Sequence, residues 1–538
     1  MNTFKFERTK AKTNTIRTPK HHKTMRMGLI LAAIAFGGVF YGLATLNMPK
    51  SEAIEPAEFN AGHLIDDSVF YNANTMTAEE IQNFLDAKSP ACDMWGTGLI
   101  TGRTYPDGTK VPSGVTRSQY SKIMREKYGK NQYHDPPYVC INKYYENPET
   151  HETLYETQGV ATTGMKSAAQ IIYDVAQEYS INPQVLLVLI KKESLVWGDN
   201  WPLKYEYNTV MGYGCPDNAP CNEAYYGFYN QVQKAAWQLK YYREHPTSYR
   251  YKSGQVNNIQ YHPNTYCGAK QVYLENIATA SLYIYTPYTP NDAALRAYPG
   301  TGDGCSSYGN RNFYMFFREW FGSTYISDEE KKANEVYDSL DNPEELLGKK
   351  IGVFFHNDLL YWQKYEHGYI VGTSKTGFYV SAGNIRNVWM EADSERGKLG
   401  LPLSNIESDN LKKWQKYQNG YIVGSDETGY YVSMGAIRDV WESTGFESGR
   451  LGLPISEPRS NSLMKWQKYQ NGYIVGSDET GYYVSMGAIR DVWESTGFES
   501  GRLGLPISEP TMIGTIEMQS YQYGAITCIK NNCAFTQK

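Results

Sequence analysis

The sequence predicts a multidomain chain with an N-terminal transmembrane segment, a mainly α-helical domain and a mainly β repeat domain. Three observations support this fold class: an uncharged apolar stretch near the N-terminus, helical apolar periodicity in the middle of the chain, and a sequence repeat in the C-terminal part. A chain of 538 residues has room for two or three domains. The predicted parts are a basic cytoplasmic N-terminus at 1–26, a signal anchor at 27–48, a linker at 49–66, the helical domain at 67–322 and the repeat domain at 327–538.

The apolar stretch at 27–48 contains no charged residue and is long enough to span a bilayer. Residues 1–26 carry eight Lys or Arg against Glu7, a charge of +7, which would keep this end in the cytoplasm and place the rest of the chain outside. A cleaved signal peptide is the alternative. Because no clean Ala-x-Ala site follows the stretch, a retained signal anchor is favoured.

The charge of the remaining chain argues against one class of partner. The whole chain has a net charge of −5, so once the +7 of the basic N-terminus is subtracted the rest sums to −12. Phosphate binding needs basic faces. An acidic body therefore argues against nucleic acid as a partner.

The cysteine content agrees with export from the cell. An even number of cysteines in an exported chain indicates disulfides, and eight cysteines allow 105 connectivities, of which we favour the pairing of sequence neighbours. A zinc site is the alternative, but the sequence has no Cys-x-x-Cys pair and its His residues have no ligand spacing, so neither a metal nor a cofactor is predicted. The predicted pairs are Cys92–Cys140, Cys215–Cys221, Cys267–Cys305 and Cys528–Cys533.

The C-terminal part contains a repeat with a period of 52 residues. Residues 413–458 and 465–510 are identical, and a diverged copy precedes them with Trp362, Trp414 and Trp466 in register.

Each repeat predicts strands followed by a short helix. Asn419-Gly420 lies between two runs of β-forming residues, which is a strong hairpin signal, and residues 426–429 form the next turn. Residues 435–441 are predicted to be a short helix, and Leu451-Gly-Leu-Pro454 closes the unit.

Half-repeats flank the full copies. Val336-Tyr337 aligns with Val388-Trp389 as the tail of a unit, and the segment 518–521 aligns with 466–469 as the head of one. Since the two halves add up to one unit, we predict four units closed in a propeller-like ring, with the last cysteine pair fixing the final hairpin. An open stack whose half-units cap the ends is the alternative.

These units resemble the LGFP repeat of bacterial cell-wall proteins over roughly 200 residues. The resemblance rests on the Trp-x-x-Tyr-x-Asn-Gly-Tyr-Ile head, the Gly-Ala-Ile-Arg-Asp-Val-Trp segment and the Gly-Arg-Leu-Gly-Leu-Pro tail, with Leu or Lys where the family name has Phe. It implies attachment to the envelope, with peptidoglycan and cell-wall polysaccharide as partners. Solvent-facing Trp and Tyr would suit sugar faces, although most aromatics of the repeat are expected in the core.

The middle domain is predicted to be mainly α-helical. Thr77 begins a capping box, 166–179 has an apolar helical face, and Asn182 followed by Pro183 marks the start of a second helix. The stretch 90–160, rich in Gly, Pro and Tyr, is expected to be irregular and held by disulfides. Further helices are predicted over 228–244, 270–285 and 312–321.

Glu193 stands out on the helix that starts at Pro183. The apolar stripe of this helix includes Leu186 and Ile190, and Glu193 follows one turn later on the same face. A carboxyl on a buried face is costly as an anion, so burial would favour the protonated form that a general acid needs. The alternative is that the helix frays near Lys191 and Glu193 is solvated.

The segment from Ser180 to Ser194 resembles the catalytic helix of the lysozyme-like superfamily, particularly of soluble lytic transglycosylases. The resemblance implies that Glu193 is the acid/base residue. It also implies that Met211, Gly212 and Tyr213 form a wall of the glycan cleft, where the family has a Gly-Leu-Met-Gln segment.

This sequence departs from that pattern after the Met. The family's Gln is absent, and Gln231 or Asn230 are the candidates for the missing amide. The segment with Tyr285 and Tyr288 resembles the late Tyr-bearing segment that packs near the acid, and a rigid Pro-Tyr loop is the alternative.

The number of carboxylates would decide the reaction. Hydrolysing glycosidases need two, whereas a lytic transglycosylase needs one because a hydroxyl of the substrate attacks. One carboxylate is favoured. The candidates for a second are Asp199, Glu206, Asp217 and Glu223, none at a diagnostic spacing.

The resemblances together imply a wall-bound glycosidase or lytic transglycosylase that cleaves the glycan strand of peptidoglycan. It would be a single-pass membrane protein with an extracellular C-terminus, or secreted and wall-associated if the anchor is cleaved. The rival interpretation is a non-catalytic wall-binding or adhesive protein on the same scaffold. An open cleft with an amide near Glu193 favours the enzyme, and an outward ion pair with Lys191 or Lys192 favours the rival.

Overall fold

The computed structural model describes residues 59–216, 219–530 and 532–538. The predicted basic N-terminus, the signal anchor at 27–48 and most of the linker lie outside these residues and remain predictions. Within the described ranges, no helix combines the length and the apolar content that crossing a membrane requires.

The N-terminal part of the described chain is mainly helical, as predicted, and most of its buried residues form one core. Two small antiparallel strand pairs, β1 with β2 and β3 with β4, accompany the helices. The helices are α1 (Asp67–Phe70), α2 (Ala78–Lys88), α3 (Arg117–Glu126), α4 (Ala168–Tyr179), α5 (Pro183–Glu193), α6 (Phe228–Glu244), α7 (Ile277–Tyr285), α8 (Asp292–Arg296) and α9 (Gly309–Phe321), and the strands are β1 (Tyr145–Glu146), β2 (Lys166–Ser167), β3 (Gln255–Gln260) and β4 (Ala269–Leu274).

Helix α5 lies inside this core. Asn182 caps it by accepting a hydrogen bond from the backbone N–H of Gln184 at 2.8 Å, and Pro183 occupies the first helical position. Every residue from Val185 to Ile190 is fully buried. The sequence predicted only an apolar stripe, but α4 and α9 both pack against α5, and a helix that is apolar on all sides is a core helix.

Two stretches differ from their predicted structure. The first part of 270–285 is strand β4, because Val272 and Leu274 are buried and alternate with exposed neighbours, which is a period of two rather than 3.6. The stretch 90–160, expected to be irregular, contains α3, which begins with a capping box formed by Thr116 and Gln119.

All eight cysteines form disulfides, in the four pairs that the sequence predicted. Three bridges hold loops of the helical part, and the fourth joins opposite residues of the last hairpin of the repeat part. The pairs are Cys92–Cys140, Cys215–Cys221, Cys267–Cys305 and Cys528–Cys533.

The described residues from 350 to 537 form four antiparallel four-stranded sheets. In each sheet the strands follow one another in chain order. The sheets consist of β5 (Lys350–His356), β6 (Tyr361–Tyr365), β7 (Gly368–Thr373) and β8 (Gly377–Ala382); β9 (Glu407–Ser408), β10 (Lys413–Tyr417), β11 (Gly420–Ser425) and β12 (Gly429–Met434); β13 (Arg459–Ser460), β14 (Lys465–Tyr469), β15 (Gly472–Ser477) and β16 (Gly481–Ser485); and β17 (Thr511–Ile513), β18 (Ile516–Tyr521), β19 (Gly524–Ile529) and β20 (Asn532–Gln537).

Short helices alternate with these sheets. Two of them precede the first sheet, and one follows each of the first three sheets, as the repeat pattern predicted. They are α10 (Asp328–Asp338), α11 (Pro343–Leu347), α12 (Gly383–Glu391), α13 (Gly435–Ser443) and α14 (Gly487–Ser495).

The cores of the array lie between the helix of one unit and the sheet of the next. Trp389 of α12 packs against Tyr417 of β10 with ring centroids 6.0 Å apart, and its indole Nε1 donates a hydrogen bond to the carbonyl of Gly400 at 3.0 Å. The buried amide of Gln415 donates to the carbonyl of Val380 in the preceding sheet at 2.8 Å. Equivalent contacts recur as Trp441–Tyr469, Trp493–Tyr521, Gln467–Val432 and Gln519–Val484.

The half-repeats cap an open array, and the predicted closed ring is wrong. Tyr337 of α10 stacks on Tyr365 of the first sheet at 4.9 Å, in the position that Trp389 has in the next unit. At the other end, Tyr521 of the fourth sheet covers Trp493. Helices α10, α12, α13 and α14 each cover the sheet that follows, so all four cores are completed by neighbours along the chain. Among the described residues no half-unit is left over to close a ring.

Candidate functional site

Glu193 is the last residue of α5, and its side chain is 28% exposed. The expectation of a buried carboxyl is therefore wrong. Ser194, which follows, has extended backbone angles, so the chain leaves the core before another helical turn could bury Glu193. The carboxylate stands at the surface, at the end of a buried helix.

The side chain of Lys192, by contrast, is only 3% exposed. Its Nζ lies 2.8 Å from Oε1 of Glu193 and donates a hydrogen bond to Oγ1 of Thr286 at 2.7 Å. The ammonium group also lies 5.6 Å from the ring centroid of Tyr285. One oxygen of the Glu193 carboxylate is thus held by a buried cation.

The other carboxylate oxygen faces Gly212. This glycine has a φ of +70°, and a Cβ on it would stand 3.5 Å from Oε2 of Glu193. The left-handed backbone favours glycine, while a Cβ at 3.5 Å from Oε2 would make an ordinary van der Waals contact. Gly212 therefore lies directly beside Oε2 without a side chain over it.

Gln231 holds the loop that carries Gly212. The side chain is fully buried in α6, and its Oε1 accepts hydrogen bonds from the backbone N–H groups of Met211 at 3.2 Å and Tyr213 at 3.1 Å. Its Nε2 donates to the carbonyls of Tyr213 at 2.9 Å and Tyr225 at 2.8 Å. Both donors and both lone pairs are used, so Gln231 positions the loop and has no capacity left for a substrate.

Tyr285 also contacts this loop. Its hydroxyl donates a hydrogen bond to the carbonyl of Met211 at 2.7 Å. Burial raises the pKa of Tyr285 well above its usual range, and the nearby charge of Glu193 adds to the effect, so the phenol stays a neutral donor.

Tyr288 lies farther along the same segment and has a backbone role. Its backbone bridges Gln260 of β3, and its carbonyl accepts a hydrogen bond from Asn310 at 2.9 Å. Tyr288 is not one of the described residues that line the cleft beside Glu193.

A cleft of about 470 Å³ adjoins Gly212. Four tyrosines and two amides supply most of its wall, and none of the lining side chains is charged. Such a surface suits an uncharged ligand that offers flat apolar faces and hydrogen-bonding groups. The lining residues are Gly212, Tyr213, Gly214, Cys215, Pro216, Pro220, Asn222, Tyr225, Gln238, Tyr242 and Tyr285.

Sequence analysis missed Tyr225, Gln238 and Tyr242. Gln238 and Tyr242 follow Gln231 by seven and eleven residues and so lie on one face of α6, which was a usable signal. Tyr225 packs edge-to-face on Tyr213 with centroids 4.9 Å apart, a contact that depends on the loop closed by Cys215–Cys221.

Comparison with known families gives two matches. Residues 63–333, just over half of the chain, match the family described as LasA, N-terminal domain. The chain belongs to the LasA N-terminal domain family. No curated protein matches the chain. Because this family is peptidase-like, the resemblance to the lysozyme-like superfamily is not confirmed.

The second match concerns the array. LGFP repeats are matched at 399–449 and 451–501, which confirms the resemblance of the C-terminal units to this repeat. The LasA N-terminal region and the LGFP repeats together indicate a cell-wall-associated protein with a hydrolase-like N-terminal part.

The described candidates for a second carboxylate in the LasA N-terminal region lie among other neighbours or at the surface. Burial raises the pKa of Glu206 to about 7, the hydrogen bond from the backbone of Leu203 opposes this, and Asp199 raises it further. These neighbours differ from those of Glu193, which are Lys192 and Gly212. Glu223 is exposed, and Asp217 lies outside the described residues.

No group of three or more His, Cys, Asp or Glu side chains is arranged to hold a metal ion anywhere in the described ranges.

Proposed function

We propose that the helical domain cleaves the glycan strand of peptidoglycan with Glu193 as the acid/base residue, and that the LGFP array holds the protein on the wall. One observation carries the proposal. The carboxylate of Glu193 lies next to Gly212, at the edge of an uncharged cleft lined by tyrosines. Aromatic faces and amide groups match the apolar faces and hydroxyls of sugar rings.

The two carboxylate oxygens of Glu193 would have different roles. The proton on Oε2, the oxygen next to Gly212, moves to the glycosidic oxygen as the bond from that oxygen to C1 breaks. Lys192, 2.8 Å from Oε1, stabilises the carboxylate that remains. The carboxylate then takes the proton of the attacking hydroxyl, which belongs either to the same sugar or to water.

One carboxylate at the cleft favours attack by a hydroxyl of the substrate. The contacts of Glu206 and Asp199 involve other residues, and the exposed Glu223 lies on a turn that follows the Cys215–Cys221 loop. A lytic transglycosylase reaction, which leaves an anhydro product, needs no second carboxylate at the site.

A non-catalytic wall-binding protein is the rival, and two observations favour it. The amide of Gln231 is fully engaged by the backbone, and Asn230 donates to the carbonyl of Tyr226 at 3.0 Å. Glu193 is also ion-paired with Lys192. The side chain of that lysine is only 3% exposed, however, whereas both partners of a merely solvated pair would lie at the protein surface.

The test is mass spectrometry of muropeptides released from purified sacculi by the full chain and by Glu193→Gln. We expect anhydro muropeptides from the wild type and a release about 10²–10⁴-fold slower from the variant, because the proton donor is lost while the shape is kept. Glu149→Gln, which changes an exposed carboxyl that is not a candidate for a second catalytic carboxylate, is the matched control and should behave like the wild type.

Other products would change the assignment. Reducing-end products would indicate hydrolysis, and cleaved stem peptides on intact glycan would indicate a peptidase. A wild-type chain that binds sacculi and releases nothing would establish the non-catalytic rival.

A further inference from the structure

Equivalent pockets lie in the repeat array, between the hairpin and the helix of a unit. We call the units that begin at Trp362, Trp414 and Trp466 the first, second and third unit. The second unit has a pocket of about 370 Å³ lined by Trp414, Tyr421 and Arg438, and the first unit has one of about 380 Å³. The matching residues of the first and third units are Trp362, Tyr369, Arg386, Trp466, Tyr473 and Arg490.

The arginine of this pocket is fixed over an aromatic ring. The guanidinium carbon of Arg438 lies 4.4 Å from the ring centroid of Tyr421, and its Nη1 donates to Glu442 at 3.0 Å. Its Nε is buried and has no hydrogen-bond partner among the described residues. An unpaired buried donor costs free energy, so a ligand that accepts this bond would be favoured.

A carboxylate is held on another wall of each pocket. Glu447 of the second unit is 13% exposed and pairs with Lys412. In the units on either side an asparagine takes the place of the lysine as donor to the equivalent glutamate. These pairs are Asn357–Glu395 at 3.1 Å and Asn461–Glu499 at 2.9 Å.

The fourth sheet differs from the other sheets at the pocket positions. This sheet keeps the core positions of the repeat, because Gln519 and Tyr521 are buried like their counterparts. Met518 and Ala525, however, stand where the third unit has Trp466 and Tyr473. A sheet of this array can therefore form without the two pocket aromatics, although Trp414 and Trp466 are partly buried against the cores of their units.

We propose that the pockets of the first three units each bind one neutral sugar ring of a wall polysaccharide, an inference that rests on the proposed attachment of the array to the wall. Trp414 and Tyr421 are half-buried, with Lys412 and Arg438 each 4.4 Å from a ring centroid, and the parts of the two rings that remain exposed would contact C–H groups of the sugar. Arg438 would donate to ring hydroxyls and Glu447 would accept from them.

The charges of the pockets select a neutral ligand over an anionic one. In the second unit Lys412 and Arg438 balance Glu442 and Glu447. In the first unit the charged lining residues are Arg386, Asp393 and Glu395, so that pocket is net negative. Phosphate-rich or carboxylate-rich polymers would be repelled there. Three pockets on one rigid array would raise the avidity for a polymer of repeated sugars.

The experiment is isothermal titration of the full chain with the neutral polysaccharide fraction of the wall, separated from anionic polymers by anion exchange. We expect Trp414→Ala to weaken binding about tenfold and Trp414→Ala with Trp466→Ala about a hundredfold. Trp414→Phe should restore most of the affinity. Arg438→Gln, which keeps most of the packing, should also weaken binding, so the proposal can be tested even if a tryptophan variant unfolds.

Tyr523→Ala is the matched control, because it removes an exposed aromatic from the array outside the pockets and should bind like the wild type. Unchanged affinity of the double tryptophan variant and of Arg438→Gln, or binding to the anionic fraction alone, would overturn the proposal. Glu193→Gln should bind the neutral fraction normally, so a failure of the proposed catalysis leaves this result unaffected. A full chain that does not co-sediment with walls would overturn wall attachment itself.

Discussion

Lys192 and Glu193 are consecutive residues whose side chains meet, with Nζ 2.8 Å from Oε1. Neighbouring residues inside a helix point about 100° apart and do not normally face each other. Here the two long side chains meet at the C-terminal end of α5, where Glu193 is the last helical residue. The pair combines a buried cation with an accessible carboxylate oxygen at the edge of the cleft.

Lys192→Met should slow glycan release by about 10²-fold, because the carboxylate formed during proton transfer loses its cation. Stability should change by less than about 1 kcal/mol, since the carboxylate of Glu193 is 28% exposed and can be hydrated instead. The measurement is the rate of muropeptide release together with urea unfolding.

Two variants test whether the charge of Lys192 matters. Lys192→Arg should recover part of the rate because it keeps a cation at the site. Lys191→Met should leave the rate unchanged, since that ammonium lies 5.7 Å from the ring of Phe316 and away from the carboxylate. Equal rates for Lys192→Met and Lys191→Met would refute the role of the pair.

Gln231→Leu should destabilise the helical domain by about 2–4 kcal/mol, because four backbone groups of the loop and its neighbour lose their buried partner. Urea unfolding of the full chain measures the effect. Gln233→Leu, two residues later on α6, is the control and should cost far less, since Gln233 bonds to the side-chain hydroxyls of Tyr229 and Tyr179 rather than to the backbone of the loop. A stable Gln231→Leu with an intact cleft would contradict the loop-positioning role.

The elements with strong local signals were predictable from the sequence. The start of α5 follows from Asn182 and Pro183, and helix α6 spans the predicted 228–244. Helix α3 was also predictable, since Thr116 and Gln119 have the spacing of a capping box within a stretch dismissed as irregular.

The site was only partly predictable, because it depends on where the chain leaves the core. Periodicity places Glu193 on the face of Leu186 and Ile190, but it does not reveal that the helix ends at Glu193. The resemblance left Gln231 or Asn230 as candidates for an amide near the site, yet the fourfold backbone bonding of Gln231 depends on a loop whose path no local pattern specifies. The family match, similarly, gives no residue roles.

Glu206 should make stability depend on pH. Burial raises its pKa from the usual 4.5 to about 7, so between these values the folded state keeps a proton that the unfolded state releases. The contribution of this group to stability is therefore complete below about pH 4.5 and is lost as the pH rises through about 7. The measurement is urea unfolding at pH 5 and at pH 8. Between these pH values the wild type should lose more stability than Glu206→Gln does.

The comparison variant for this pH dependence is Glu223→Gln, because Glu223 is an exposed carboxyl of the same region. Its stability should follow that of the wild type at both pH values. If Glu206→Gln and the wild type differ equally at pH 5 and pH 8, Glu206 does not titrate in this range.

Removing residues 515–538 should destabilise one end of the array and leave the other end unchanged. Strands β18 to β20 cover Trp493 and Leu503, so their loss exposes the last core and should unfold α14. The first core depends on Ala333, Tyr365 and their neighbours, which the truncation does not touch. In an array whose units contact only adjacent units, the effect of losing one cap fades with distance. Hydrogen exchange of the truncated chain should therefore show lost protection over 487–510 and wild-type protection over 361–382. Lost protection over 361–382 would instead mean that the two ends support each other, as in a ring.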